Sequence, residues 1–488
     1  MATVVLPIAN GAYVSDSLPI SAQECVNWYA NIVQAPALNQ ETLLGTPGLV
    51  QLTTTGEINQ VNRGAAEMAG VPYFVNGDGL YRVDRAVSVE GVETFSTEKV
   101  GTVAGAGRVS LANNGTQLCV LIPGGAGYIY VDGNPGTFTE ITDLDFRANG
   151  EPQHAVFVDG FFVFTTDSKK FIVSALNDGL SYNALDFGTA EADPDDIVAP
   201  VVFRNQLFIC GAETTEVFQN IGGADFPFQR SGLFIQKGVS APFSLINASD
   251  AYLFIGGGKN ESPAIWAVQG NTAEKVSTVA IDSILQRFTA EEVGSAFAWS
   301  YAQRGAYFVG FSLPTTTVVI DTATGRWHER KSQIVTSKNE TLTVRSRVNS
   351  MLTAYGRVVV GDSTDGRIGA FDMDGYTEYG GPLIRTVSTQ PFQNNMKPFM
   401  VPGIELTMEA GVGTAEVPDP KIRMSRSTDG GKTFSDERAR GIGKVGEYGR
   451  RTIWRRNGRA SRFEVFKFTL SDAVKPVIIQ LTADIIGG

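Results

Sequence analysis

Residues equipped for covalent or metal chemistry are scarce in this 488-residue chain: His154 and His328 are its two histidines, and Cys25, Cys119 and Cys210 its three cysteines. Neither histidine sits in an HExxH pattern or beside a cysteine pair, so a zinc site would have to gather ligands from distant segments. An odd number of widely spaced cysteines implies buried, reduced thiols and no disulfide framework. Asp372, Asp374 and Gly375 in FDMDGY open like a calcium loop, but no Glu follows at the required distance, and the stretch reads as a turn. GGKTF at 430–434 ends like a P-loop, yet Arg426 stands where the first Gly belongs. AGAGRVSLA at 104–112 holds Gly105 and Gly107 without a third Gly and runs into a strand, which is ordinary turn chemistry. No GxSxG nucleophile elbow is present. The expectation is a chain with no catalytic residue, no metal site and no cofactor.

Two patterns remain. Ser427, Asp429, Gly431, Thr433 and Phe434 in STDGGKTF follow the order of an Asp box, a hairpin turn in which the Asp side chain accepts its own turn's N–H groups and the aromatic packs beneath. Its role is structural. Sialidases carry several copies where this chain has one, and a glycosidase would also need an Arg cluster, a Tyr nucleophile and acidic partners in one cleft. A glycan-binding or sialidase-like propeller is therefore the alternative reading. The second pattern is basic: Arg450, Arg451, Arg455, Arg456, Arg459 and Arg462 interleave with Trp454, Phe463 and Phe466. Residues 421–475 carry 15 Lys and Arg against 6 Asp and Glu, a local +9 that leaves −20 for the rest of a chain of net charge −11. Arginines beside aromatics suit phosphate contact and stacking. An acidic body opposes general nucleic-acid binding, so a subunit or partner interface built on Arg450, Arg451, Trp454, Arg455, Arg456, Arg459 and Arg462 fits better than direct DNA contact. Pairing of these arginines with acidic residues of the same chain is the plainer possibility.

The elements that must carry these residues are strands. Glycine is abundant (54 residues, against roughly 7% in average proteins), the chain is 43% hydrophobic, and only 19% is charged, which excludes a disordered or coiled-coil chain. One pattern, an apolar run, a Gly or polar turn and a second apolar run, recurs from residues 70, 114, 159, 204, 250, 304 and 355. The successive intervals are 44, 45, 45, 46, 54 and 51 residues. Each copy reads as a β-hairpin, and a period of ~45 residues is the spacing of β-propeller blades. The expected fold is all-β: a six- or seven-bladed β-propeller over 66–384, with flanks 1–65 and 385–488 pairing into a second β-domain. The longer interval holds a helical insertion at about 277–298, where Ile281, Ile284, Leu285 and Phe288 share one face and Thr289 and Glu292 form a capping box. The N-terminus lacks a basic region followed by an apolar core, so no secretory signal is expected, and no apolar run is long enough for a membrane span. Synthesis and folding in the cytoplasm follow.

AGAGRVSLA at 104–112, GLFIQKGVSAP at 232–242, RFTAEEV at 287–293 and RRTIWRRNGRASRFEVFKF at 450–468, with NWY at 27–29 and TPG at 46–48, together resemble the packaged-DNA stabilisation proteins of short-tailed bacteriophages, also called tail accessory factors, tail hubs or nozzles. The resemblance implies a structural virion protein of the tail, not an enzyme. It implies assembly as a homo-oligomeric ring, a hexamer, below the portal and its head-to-tail adaptor. Such a ring would extend the DNA channel, stabilise packaged DNA, and dock tailspikes or fibres and a tail needle or plug. An acidic lining would let viral DNA slide through.

Overall fold

A computed structural model describes residues 2–33, 35, 37–190, 195–223, 226–336 and 338–487. Its first blades follow from the hairpin pattern. Sheets of antiparallel strands span 62–102, 110–140, 152–189, 197–235, 238–275 and 297–335, each strand pairing with the next except Gly238–Val239, which pairs with Ala251–Gly257 beyond Ile246–Ala248. Six blades are thus built from contiguous chain; a seventh joins the three strands of 348–372 to Gly48–Thr54, whose residues 48–54 run antiparallel to Arg367–Asp372. The expectation of an N-terminal arm over 1–65 is corrected here. Residues 48–54 belong to the propeller, where a strand from near the start of the chain completes the sheet of the last blade and ties the two ends of the ring together.

The recurring sequence pattern marks the first turn of each blade. At 69–70, 159–160, 204–205, 304–305 and 355–356 both residues have positive φ, between 47° and 90°. This is the backbone of a type I′ hairpin turn, whose twist matches that of the two strands it joins. Those turns link the innermost strand to the second strand of a blade, and the apolar runs that follow are the second and third strands. Phe, Val and Ile from neighbouring sheets interlock between blades. Phe162, Phe164 and Ile172 pack with Cys119 and Ile129 between the second and third blades, and Phe74 and Val83 pack with Val359 and Ile368 where the seventh blade meets the first. All three thiols are buried, and burial pushes Cys25 and Cys210 up to about 12.

The flanks form a β-sandwich beside the propeller. One sheet runs Thr452–Arg455, Phe399–Met408, Val477–Gly487, Glu41–Gly45 and Trp28–Ile32, with Ala2–Leu6 paired to Val477–Gly487. The other carries Arg438–Gly441, Lys421–Ser427, Val465–Leu470 and Arg385–Ser388, and continues through Cys25–Val26 into the outer strand of the sixth blade, Arg326–Val335. Asn27 makes this junction. In the left-handed region (φ 58°), its side-chain amide donates to Lys331 O at 2.8 Å and Ile384 O at 2.7 Å and accepts from Lys331 N, while its own carbonyl accepts Thr46 N. The NWY and TPG motifs are the two halves of this bridge between propeller and sandwich. Trp28 fills the sandwich core with Leu43, Trp454, Phe466 and Phe468.

Between the fifth and sixth blades lie two short helices, Val279–Leu285 and Ala290–Gly294. Thr289 and Glu292 make the reciprocal capping box. Ile281, Leu285 and Val293 pack into the core between those blades, and Arg287 reaches Asp16 of the N-terminal segment at 3.3 Å. Among the described residues no helix is long and apolar enough to cross a membrane.

Candidate assembly surface

The basic segment folds onto the rim of the sandwich. Thr452–Arg455 pairs with Phe399–Met408, placing Trp454 opposite Ile404 and Arg455 opposite Gly403. Side chains along a strand alternate between faces. Trp454 therefore points inward, where it is fully buried, its Nε1 donating to Arg438 O at 2.6 Å and its ring 5.5 Å from that of Phe468. The expectation that Trp454 shares a surface with the arginines is overturned by this alternation. Its neighbours Arg455 and Arg456 project outward and line, with Arg451, a groove of about 550 Å³ that also carries Glu405 and Asp484.

The arginines differ in how their charge is met. Arg451 makes a two-point contact with Glu405, Nε to Oε1 at 2.8 Å and Nη2 to Oε2 at 2.5 Å, and this donation holds the Glu405 carboxyl below its usual range. Arg462 lies over the Phe463 ring at 4.7 Å and donates to Met396 Sδ. Among the described residues no carboxylate lies within 4.0 Å of Arg440, Arg450, Arg455, Arg456, Arg459 or Arg462, all of them exposed. Arg438, behind this edge, is held below the usual guanidinium value by burial and then by the positive charges of Arg440 and Arg426. Intrachain pairing thus accounts for Arg451 and leaves the outer edge positive. Arg438 and Arg440, which bond to Arg455 O and Ile453 O across the neighbouring strand, extend it. The sequence signal for both was the same run of basic residues.

The Asp box has the geometry its pattern predicts. Asp429 accepts Lys432 N at 2.9 Å, Thr433 N at 3.0 Å and Thr433 Oγ1 at 2.6 Å, and Ser427 Oγ donates to Asp429 Oδ1 at 2.6 Å. These bonds hold its carboxyl well below the usual range. Gly431 sits at φ 97°, and a Cβ there would lie 2.6 Å from Cβ of Ala22, so the turn packs directly on the N-terminal segment. Phe434 is half-buried under Lys467, whose Nζ is 4.2 Å from its ring centroid. The motif lies in the sandwich, not between propeller blades, and fastens the two flanks together.

Both histidines are buried and held neutral by burial: His154, pushed down to about 4, packs edge-on against Phe243 at 4.9 Å, and His328 lies among Tyr29 and Phe308. Among the described residues no group of three or more His, Cys, Asp or Glu could hold a metal ion. FDMDGY is a blade turn in which Asp372 Oδ1 accepts Asp374 N.

A propeller fused to a β-sandwich whose rim carries exposed arginines defines an all-β scaffold. Two family models match it in succession, the β-propeller of bacteriophage P22 Gp10 over residues 4–376 and the β-sandwich of the same protein over 384–486. The chain belongs to the bacteriophage P22 Gp10 family. It is similar to the tail hub protein gp10 of Salmonella phage P22, 24% identical over 428 residues that cover 85% of this chain and 86% of that protein. Family membership makes it a structural tail hub protein, a component of the virion tail and not an enzyme. Solved structures that align with part of the chain include the WD40 β-propeller domain of Doa1 (TM-score 0.39, 13% identity, 67% of this chain and 97% of that one) and the computationally designed protein Ika8 (TM-score 0.37, 12% identity, 66% and 99%).

Proposed function

We propose that copies of this chain close a hexameric ring below the portal and its head-to-tail adaptor, with the arginine rim of the sandwich as the contact between subunits or with the adaptor. The ring extends the DNA channel, retains packaged DNA, and offers its propellers to tailspikes or fibres and its distal end to a tail needle or plug. One observation carries this reading: six exposed arginines without an intrachain carboxylate partner among the described residues, in a chain whose remainder is strongly acidic. Such charge segregation favours contact between a basic edge and an acidic face of a neighbour. The acidic body supplies the channel lining along which DNA slides; a positively charged lumen in an assembled particle would refute that part.

The test replaces Arg455 and Arg456 with Glu and examines the chain alone and mixed with portal–adaptor complexes, by native mass spectrometry and negative-stain imaging. Wild-type chain is expected to form rings in at least one of these conditions, and the double variant to remain monomeric with an unchanged circular dichroism spectrum. Normal rings that lose DNA from filled particles would assign the arginines to DNA contact instead. Monomers that cleave a sialoside would favour the glycan-directed alternative, for which no geometric observation speaks.

A further inference from the structure

The innermost strands of the blades surround a central cavity of about 460 Å³, and where two of them begin a pair of guanidinium groups shares one acceptor and one aromatic ring. Arg108, in the connection before Ser110–Asn113, has its Cζ 3.3 Å from the Phe297 ring centroid; Arg345, before Val348–Ala354, lies 5.3 Å from the same centroid. Arg108 Nη2 donates to Asn349 O at 2.8 Å and to Asn349 Oδ1 at 3.1 Å, and Arg345 Nη2 donates to that same Oδ1 at 2.7 Å. No carboxylate lies within 4.0 Å of either among the described residues. Two buried arginines of the propeller are, by contrast, neutralised or saturated. Arg347 pairs with Asp362 at 2.8 Å, and Arg63 spends its Nε, Nη1 and Nη2 on four backbone carbonyls.

Arg108 and Arg345 also line an adjoining cavity of about 230 Å³, with Phe297 and Asn349. Nε and Nη1 of Arg108 and Nε of Arg345 have no acceptor among the described residues. Burial lowers both guanidinium groups, and the charge of Arg345 lowers Arg108 further. The backbone that carries Arg108 is fixed in advance, because Arg63 donates to Ala104 O at 2.8 Å and Gly107 O at 2.6 Å within the AGAGR segment.

We propose that Arg108 and Arg345 form an oxyanion-binding site at the mouth of the propeller cavity, taking a carboxylate or phosphate group between their free N–H donors. Two like charges in a low-dielectric site repel. An anion between them replaces that repulsion with charge-assisted hydrogen bonds, on a frame that needs no further ordering. A protein carboxylate and free phosphate present the same chemistry, and separate titrations distinguish them.

The full chain is titrated calorimetrically with inorganic phosphate in one arm and with glutarate in the other, at matched ionic strength. Saturable binding of one anion per chain is expected in at least one arm, weakened at least tenfold in Arg345→Gln and unchanged in Lys259→Gln on a distant exposed loop. Tighter phosphate binding identifies free phosphate as the natural occupant, and tighter glutarate binding identifies a protein carboxylate. Absence of binding in both arms overturns the proposal, as does equal binding by Arg345→Gln. Thermal unfolding guards against a folding artefact. In chloride the variant is expected to unfold no earlier than wild type, because a repulsion has been removed, and to lose the anion-dependent rise that wild type shows. A variant that unfolds earlier in chloride, beside a wild type indifferent to phosphate and glutarate, would make the pair a structural clamp and refute the site.

Discussion

Trp454 and Arg455 are adjacent in sequence and opposite in role, because a strand sends consecutive side chains to opposite faces. Trp454→Ala is expected to destabilise the chain by about 3–5 kcal/mol, the usual cost of emptying a large buried aromatic site, measured by urea unfolding. Arg455→Glu with Arg456→Glu should leave unfolding almost untouched while abolishing assembly, so the two experiments separate core from contact. A second residue-scale prediction concerns Glu378, whose Oε1 accepts Ser332 Oγ at 3.1 Å while Oε2 is buried without a partner. Burial pushes its carboxyl up to about 7, against the opposing pull of Arg347 and Arg330. The folded state then binds the proton more tightly than the unfolded chain between the ordinary value of 4.5 and about 7, so this group's contribution to stability falls as pH rises through that window. Glu378→Gln should flatten that slope and stabilise the chain at pH 8 by about 1–3 kcal/mol relative to wild type, read from urea midpoints at pH 5 and pH 8.

At the scale of elements, the joints matter more than the blades. Asn27 supplies side-chain bonds that tie Lys331 of the sixth blade to Ile384 before the sandwich, in a backbone conformation that few residues other than Gly, Asn and Asp adopt readily. Asn27→Ala is expected to cost about 2–4 kcal/mol, since it strands buried carbonyl and N–H groups besides straining φ. Limited proteolysis should then cut first around 331–340 and 384. The capping box of Ala290–Gly294 is worth less. Thr289→Ala should cost about 1 kcal/mol in urea unfolding, the typical loss of an N-cap.

For the whole molecule, the governing quantity is the distribution of charge. A −20 body joined to a +9 segment is a dipolar particle whose association with its own kind is steered by long-range attraction. Ring formation should therefore weaken steeply as ionic strength rises past the point where the Debye length, about 8 Å at 0.15 M, falls below the spacing of the interface charges. Analytical ultracentrifugation across a salt series measures this, and assembly insensitive to salt would shift the contact away from the arginine rim. Fusion of blade and sandwich through Cys25–Val26 makes a continuous β-scaffold from propeller to rim.

Much of this was legible in the residues. The hairpin repeat is visible because five of the seven blades have a first turn of two residues with positive φ, a conformation Gly and Asn adopt most readily, and a Gly or Asn stands in each of those five turns. The Asp box is equally local, since every bond that defines it lies within seven residues of sequence. Tertiary structure alone decided which strand closes the ring, because residues 48–54 meet 367–372 across more than three hundred residues and nothing in a strand's own pattern names its partner. It also turned Trp454 inward, left six exposed arginines without a carboxylate partner among the described residues, and set Arg108 beside Arg345. Spacing along a chain reports which faces a strand presents; what lies against those faces is settled only when distant segments pack.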